Sequence, residues 1–222
     1  MKPTVAFIHT IAGLKDTFEE LVREFLPDCS TCHIADETLI RRLLAAGGLT
    51  PEVYRRLSEH VVAAAEYGAD YIQFTCSSIT PCAEWVAKLV GVPVLSIDEP
   101  MVRGVVVAHY RIGVIATNPA TLKPSSDLVA SIATSVGRDV EVVPELCEGA
   151  YEALLSGDRP THDRIVKERL GNLLTRVDAV CLAQASMARV ADTLEHEKPV
   201  YSSPRPAIWH LGGIIREASD AR

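Results

Sequence analysis

The chain has 222 residues, 48% of them hydrophobic and 23% charged, with a formal net charge of −7. That length and apolar content suit one large or two small domains with a real core and argue against disorder, while the negative balance argues against nucleic acid, whose phosphates need clustered Lys and Arg. No apolar run approaches a membrane span, and Met1-Lys2-Pro3 opens no signal-peptide pattern, so the six cysteines are expected to be reduced thiols of a cytoplasmic protein.

Thr4 to Ile8 reads as a buried strand, bounded by His9-Thr10 and Gly13. Asp16-Thr17 then opens a helix with Phe18, Leu21, Val22 and Phe25 on one face, ended by Pro27. Thr31 to Ile34 is a second strand, and Glu37 to Ala46 a helix stopped by Gly47-Gly48. Thr50-Pro51 starts a further helix with Val53, Leu57, Val61 and Ala65 as its buried stripe, and Gly68 ends it before a strand at Tyr71 to Phe74. That strand runs into Thr75-Cys76-Ser77-Ser78, and a helix is expected to open at Thr80-Pro81. A second apolar run covers Val92 to Ile97.

The pattern then restarts. Arg111 to Ala116 is a strand followed by Thr117-Asn118-Pro119, with a helix over Pro124 to Val136. Strands are expected at Val140 to Val143, Ala179 to Ala183 and Val200-Tyr201. Helices are expected at Tyr151 to Leu155, Thr161 to Leu174 and Met187 to Glu195, and over Pro206 to Ala218, where Ile208, Leu211 and Ile215 keep helical spacing. Strands alternating with helices in this way imply parallel sheets with helices on their faces.

The two halves also match each other. Thr10 aligns with Thr117, 107 residues on; Asp70 with Asp178 and Ser78 with Ser186, each 108 on; Pro93 with Pro199, 106 on. The fold class is therefore α/β, with two pseudo-symmetric parallel-sheet domains. The first spans 1–98, with 204–222 packing back on it, and the second 99–203. Two such halves facing each other at their strand ends would form a cleft, a common place for a small-molecule site.

Cys76 is the leading chemical candidate. It lies where a strand ends and a helix begins, the edge where open α/β sheets bind ligands. A thiol of ordinary pKa about 8.5 is made more acidic at a helix start. Thr75, Ser77 and Ser78 add hydroxyls that can hold a carboxylate, whereas a lone cysteine elsewhere would be read as packing. Gln184 occupies the matching place in the second half; it hydrogen-bonds but does not titrate near neutral pH. Thr10 and Thr117 end the first strand of each half and either hold carboxylates or cap the next turn. Asn118 is a carboxylate ligand or a helix cap, and His9 faces a site or packs beside the sheet. Cys181 is expected inside its strand. Cys29-Ser30-Thr31-Cys32-His33 fits the haem-attachment spacing, but it falls on an expected strand and is read as chance. Cys82 and Cys147 are isolated, so no metal site is expected, and no G-x-G-x-x-G or P-loop is present.

Thr75-Cys76-Ser77-Ser78 after a strand, the His9-Thr10 pair, the IAT at Ile115 to Thr117 and LAQASM from Leu182 to Met187 together resemble the aspartate/glutamate racemase superfamily. The likeness covers nearly the whole chain. It implies two α/β domains enclosing a small carboxylate substrate, no cofactor, and an amino-acid racemase-type isomerase of amino-acid metabolism. By the resemblance Cys76 is the catalytic cysteine, and Thr10, Ser77, Ser78, Thr117 and Asn118 fall where carboxylate-binding residues are expected; Thr75, Gln184 and Ser186 are expected to be substrate-binding beside them. The second cysteine of the racemases falls on Gln184 here. A two-base racemase needs an acid on one face and a base on the other. One-thiol decarboxylases and maleate-type cis–trans isomerases of the superfamily are therefore alternatives, as is a non-catalytic carboxylate binder. Self-association is left open by the sequence.

Overall fold

The structure, a computed structural model, describes residues 2–220. The chain divides into two compact units: the first runs to Ile97 and resumes at Pro204, and the second is Asp98–Ser203. Among the described residues no helix is long and apolar enough to cross a membrane.

The first unit holds strands β1 (Thr4–His9), β2 (Ser30–Ala35), β3 (Tyr71–Phe74) and β4 (Val94–Leu95) in a parallel sheet of order β2-β1-β3-β4. Helices α1 (Lys15–Phe25), α2 (Glu37–Ala46), α3 (Pro51–Glu66) and the short α4 (Ala83–Ala87) follow its strands. β1 is buried on both faces after Thr4, as a central parallel strand must be. On one face Ala6, Ile8, Ile72 and Phe74 pack with Leu39, Leu43, Leu57 and Val61. On the other, Val5 and Phe7 pack with Phe18 and Leu21 and with Ile208 and Leu211 of the C-terminal helix Pro204–Asp220. The tail thus packs back on this unit.

The second unit repeats the plan. It contains α5 (Glu99–Ala108), β5 (Arg111–Ala116), α6 (Pro119–Ser135), β6 (Glu141–Leu146), α7 (Ala150–Leu155), α8 (Arg159–Leu174), β7 (Ala179–Leu182), α9 (Ala188–Ala191) and β8 (Val200–Ser202). The C-terminal helix is then α10. The sheet is parallel in the order β6-β5-β7-β8. The internal repeat read in the sequence reappears bond by bond. Asp70 accepts from Thr4 N–H at 2.8 Å, and Asp178 from Arg111 N–H at 2.8 Å. The carbonyl of Pro93 accepts from Ile72 at 2.9 Å, and that of Pro199 from Val180 at 3.0 Å.

Several elements differ from expectation, each for a local reason. The helical turn after β3 begins at Ser77, as a 3-10 helix Ser77–Cys82 leading into α4, so Cys76 itself is the capping residue. α6 starts at Pro119 rather than Pro124 because Asn118 caps it and Pro119 takes the first position, where a missing N–H costs nothing. The buried stripe of α3 ends on Ala64, not Ala65. The apolar run at Val92 is strand only over Val94–Leu95. Met187 to Glu195 splits into a 3-10 turn, Ala185–Met187, and α9. α5 has no counterpart among the expected elements.

Candidate functional site

In the first unit, the C-terminal ends of β1 and β3 lie side by side. Thr75 N–H donates to the Ile8 carbonyl at 3.2 Å, which places His9-Thr10 next to Thr75-Cys76. Cys76 is extended (φ −135°, ψ 127°) and half-buried. Ser77 and Ser78 follow it in the 3-10 helix, and both are buried. The Thr75 side chain turns into the sheet, 3.1 Å from the Ile8 carbonyl and 2.9 Å from His9 Nδ1. His9 is fully buried, and burial, with His33 and Lys15 adding, pushes its pKa down to about 4. Thr10 is also fully buried, and its hydroxyl has no hydrogen-bond partner among the described residues.

The second unit repeats this corner with different chemistry. Gln184 precedes its 3-10 turn with the same backbone shape as Cys76 (φ −145°, ψ 130°). Its Oε1 accepts from Thr117 N–H at 2.6 Å and from Thr117 Oγ1 at 2.9 Å. The amide oxygen is thereby committed, and the NH2 is the side chain's remaining hydrogen-bonding group. Asn118 Oδ1 accepts from Thr121 N–H and Oγ1, both at 3.0 Å, while Asn118 Nδ2 is buried with no partner among the described residues. Ser186 is half-buried in the 3-10 turn.

An unpaired buried donor costs about 1–3 kcal/mol, so each asks for an explanation. Nδ2 of Asn118 can only donate, and the Thr10 hydroxyl can donate too. The group that satisfies both kinds is an acceptor such as a carboxylate.

The remaining cysteines are poor acid–base candidates. Cys82 and Cys147 are fully buried and Cys181 nearly so; burial pushes all three thiols up to about 12. Burial also raises Cys29 and Cys32. His33, the last residue of the haem-like spacing, is bonded to His9 and Glu19. Among the described residues no group of three or more His, Cys, Asp or Glu is placed to hold a metal ion. The His9 contact with Thr75 was not legible from sequence; its only trace is a polar residue ending an otherwise apolar strand.

Several solved structures share this fold. Glutamate racemase from Francisella tularensis in complex with D-glutamate is 17% identical with a TM-score of 0.79, covering 98% of this chain and 82% of its own. Allantoin racemase from Klebsiella pneumoniae is 17% identical with a TM-score of 0.72, covering 97% and 89%. Aspartate racemase from Picrophilus torridus is 13% identical with a TM-score of 0.69, covering 95% and 94%. No curated protein matches the chain. Residues 12–211 match the family described as Asp/Glu/Hydantoin racemase. With the repeated sheets and both strand-end corners in place, the chain belongs to the Asp/Glu/Hydantoin racemase family.

Proposed function

We propose that the protein is a cofactor-independent isomerase of amino-acid racemase type acting on a small carboxylate, with the Cys76 thiol as its acid–base group. Cys76 takes the proton from the carbon next to the substrate carboxylate. The electron pair left behind spreads into that carboxylate as enolate-like charge; the thiol can return a proton only to the face it took it from, so inversion takes a proton from solvent on the other face while the Cys76 thiol gives its own to solvent. Donors aimed at the carboxylate hold the growing charge. Thr10, Ser77 and Ser78 are the proposed donors at the Cys76 corner; Thr117, Asn118, Ser186 and the Gln184 amide are those at the matching corner of the second unit. One observation carries the reading: buried donor groups without protein partners, Thr10 Oγ1 and Asn118 Nδ2, stand at the strand ends that also bear Cys76 and Gln184. The similarity in fold to a glutamate racemase in complex with D-glutamate supports the substrate class.

A second reading rests on Gln184. Its amide oxygen is clamped by Thr117, and an amide cannot serve as the second acid of two-base racemisation. This favours one-thiol chemistry, a decarboxylation or a cis–trans isomerisation of the maleate type. The test is incubation in D2O with amino acids, small malonates and maleate, using the intact chain and Cys76→Ser. Exchange of the α-hydrogen supports racemase-type proton transfer; CO2 release or fumarate formation supports the second reading. In either case Cys76→Ser is expected to lose at least about a hundredfold in kcat with the fold retained by circular dichroism. Turnover that survives the substitution removes Cys76 from the mechanism.

A further inference from the structure

The first unit contains a chain of hydrogen bonds that the proposed reaction does not use. It starts at Thr75 Oγ1, which is 2.9 Å from His9 Nδ1. His9 Nε2 is 2.8 Å from His33 Nδ1, and His33 Nε2 is 2.7 Å from Glu19 Oε1. Thr31 donates to the same Glu19 oxygen at 2.8 Å. The two imidazole planes lie within 9° of each other, with ring centroids 5.1 Å apart. Phe7 stacks on His33, and Phe18 stands edge-on to His9. The chain therefore passes from a buried hydroxyl next to Cys76 to a carboxylate one-third exposed to solvent.

Simple packing does not call for this arrangement. By sheet register and the internal repeat, His9, His33 and Thr75 correspond to Ala116, Pro144 and Ala183 in the second unit. The same fold closes there with no polar side chain at any of the three places.

Counting hydrogens gives the chain two complete states. Glu19 is held ionised by its bonds, that from Thr31 first. With a neutral His33, Nε2 donates to Glu19 and Nδ1 accepts from His9 Nε2–H. His9 Nδ1 is then bare, and the Thr75 hydroxyl donates to it. Add one proton to the chain and His33 carries hydrogens on both nitrogens. His9 must now accept at Nε2 and keep its hydrogen on Nδ1, which donates to Thr75 Oγ1. The Thr75 hydroxyl then donates to the Ile8 carbonyl, 3.1 Å away. No heavy atom has to move. His9 is neutral in both states, as its depressed pKa of about 4 requires.

The geometry points to a one-proton relay in which Glu19, His33 and His9 set the direction of the Thr75 hydroxyl beside Cys76. Atoms balance as a single proton taken up. It resides on His33, the His9 hydrogen changes nitrogen, and the hydroxyl rotates. The charged and titratable groups acting on His9 are His33 from β2 and Lys15 from α1, with Glu19 of α1 reached through His33. Asp36 at the end of β2 donates its backbone N–H to the His9 carbonyl, but its carboxylate is turned to Arg56 and His60 of α3. Thr75, directly after β3, faces His9 with its hydroxyl. Glu19 and His33 are thus positioning residues for the strand end that carries the thiol. Only their effect on turnover rests on the proposed role of Cys76.

The test reads the relay itself, in the substrate-free protein. Imidazole 15N shifts of His9 and His33 are followed from about pH 5 to about 8. His9 is expected to exchange its protonated nitrogen as the chain takes up its proton. Glu19→Gln removes the negative charge that holds the extra proton, so the exchange moves to lower pH. In Glu19→Gln the pH profile of kcat shifts in the same direction, with KM changed less. A single His9 tautomer across the range, or an exchange that ignores Glu19→Gln, overturns the relay; an unshifted kcat profile beside a normal exchange overturns only its effect on turnover. Loss of the Cys76 assignment, seen as turnover by Cys76→Ser, would leave the nitrogen shifts as expected, so the two failures are separable. Thr75→Val provides a second variant: it deletes the hydroxyl, and the His9 exchange is expected to change its midpoint.

Discussion

The side chain of Asn118 has its oxygen and its nitrogen in different situations. Oδ1 closes the first turn of α6 on Thr121, while Nδ2 is buried without a partner among the described residues. Aspartate caps a helix as well as asparagine does and carries no such nitrogen. Asn118→Asp should therefore keep the α6 cap, lower the melting temperature through the buried unpaired carboxylate oxygen, and weaken binding of a small carboxylate by at least about tenfold, or about 1.4 kcal/mol, read by calorimetry. Unchanged affinity would assign the residue to capping alone. Thr10 offers the complementary case. Its hydroxyl is already unpaired, so Thr10→Val should alter stability by less than about 1 kcal/mol while raising KM. Sequence alone left both residues between two roles. The hydrogen-bond geometry shows Asn118 capping α6 through Oδ1 and leaves Nδ2 over for the proposed carboxylate, because its two amide atoms separate what a one-letter code merges.

At the scale of elements, the strands were legible because parallel strands buried on both faces must be apolar runs, as β1, β3, β5 and β7 are. α5 was not. Its sequence is rich in β-branched valine and contains Gly104, so propensity disfavours a helix. Burial of Met101, Val102, Val105 and Val106 on one side overrides that preference. The same limit hid the start of the turn after β3, where Ser77 begins a 3-10 helix with no proline or capping signal of its own. Packing between elements also decides what the strands tolerate. A Cβ at Gly113 of β5 would lie 2.8 Å from Leu173 Cδ2 and 3.2 Å from Val180 Cγ2. Gly113→Ala is expected to cost about 1–3 kcal/mol by overpacking against α8 and β7, measured by urea unfolding. Its counterpart in the repeat, Ala6, already carries that carbon on β1. A neutral Gly113→Ala would mean that α8 gives way.

For the whole molecule, acid should be the weak side. His9 is buried with its pKa pushed from 6.5 down to about 4, so the unfolded chain binds that proton more readily than the folded one. The stability this group contributes is complete above about pH 6.5 and is lost as pH falls toward about 4, on the order of 3 kcal/mol. Asp36 acts in the same sense at still lower pH: burial raises its carboxyl, but bonds from Arg56, Thr38 and His60 outweigh that and hold it well below the usual range. Unfolding free energy measured across pH should fall on the acid limb and flatten there in His9→Phe; a flat profile in the unaltered protein would contradict the buried neutral imidazole. The organisation into two repeated units was readable because the matched positions are those the sheet hydrogen bonds require. The buried polar chain was not, since nothing in sequence spacing announces that His9 reaches diagonally to His33, which the register sets opposite Phe7. One last feature bears on how such a molecule could be built. Asp98 and Ser203, where the chain enters and leaves the second unit, are joined by a 2.6 Å hydrogen bond. A segment whose two ends touch can be lifted out and its host resealed with a short splice, so the second half has the makings of a cassette, exchangeable between relatives without threading the rest of the gene anew.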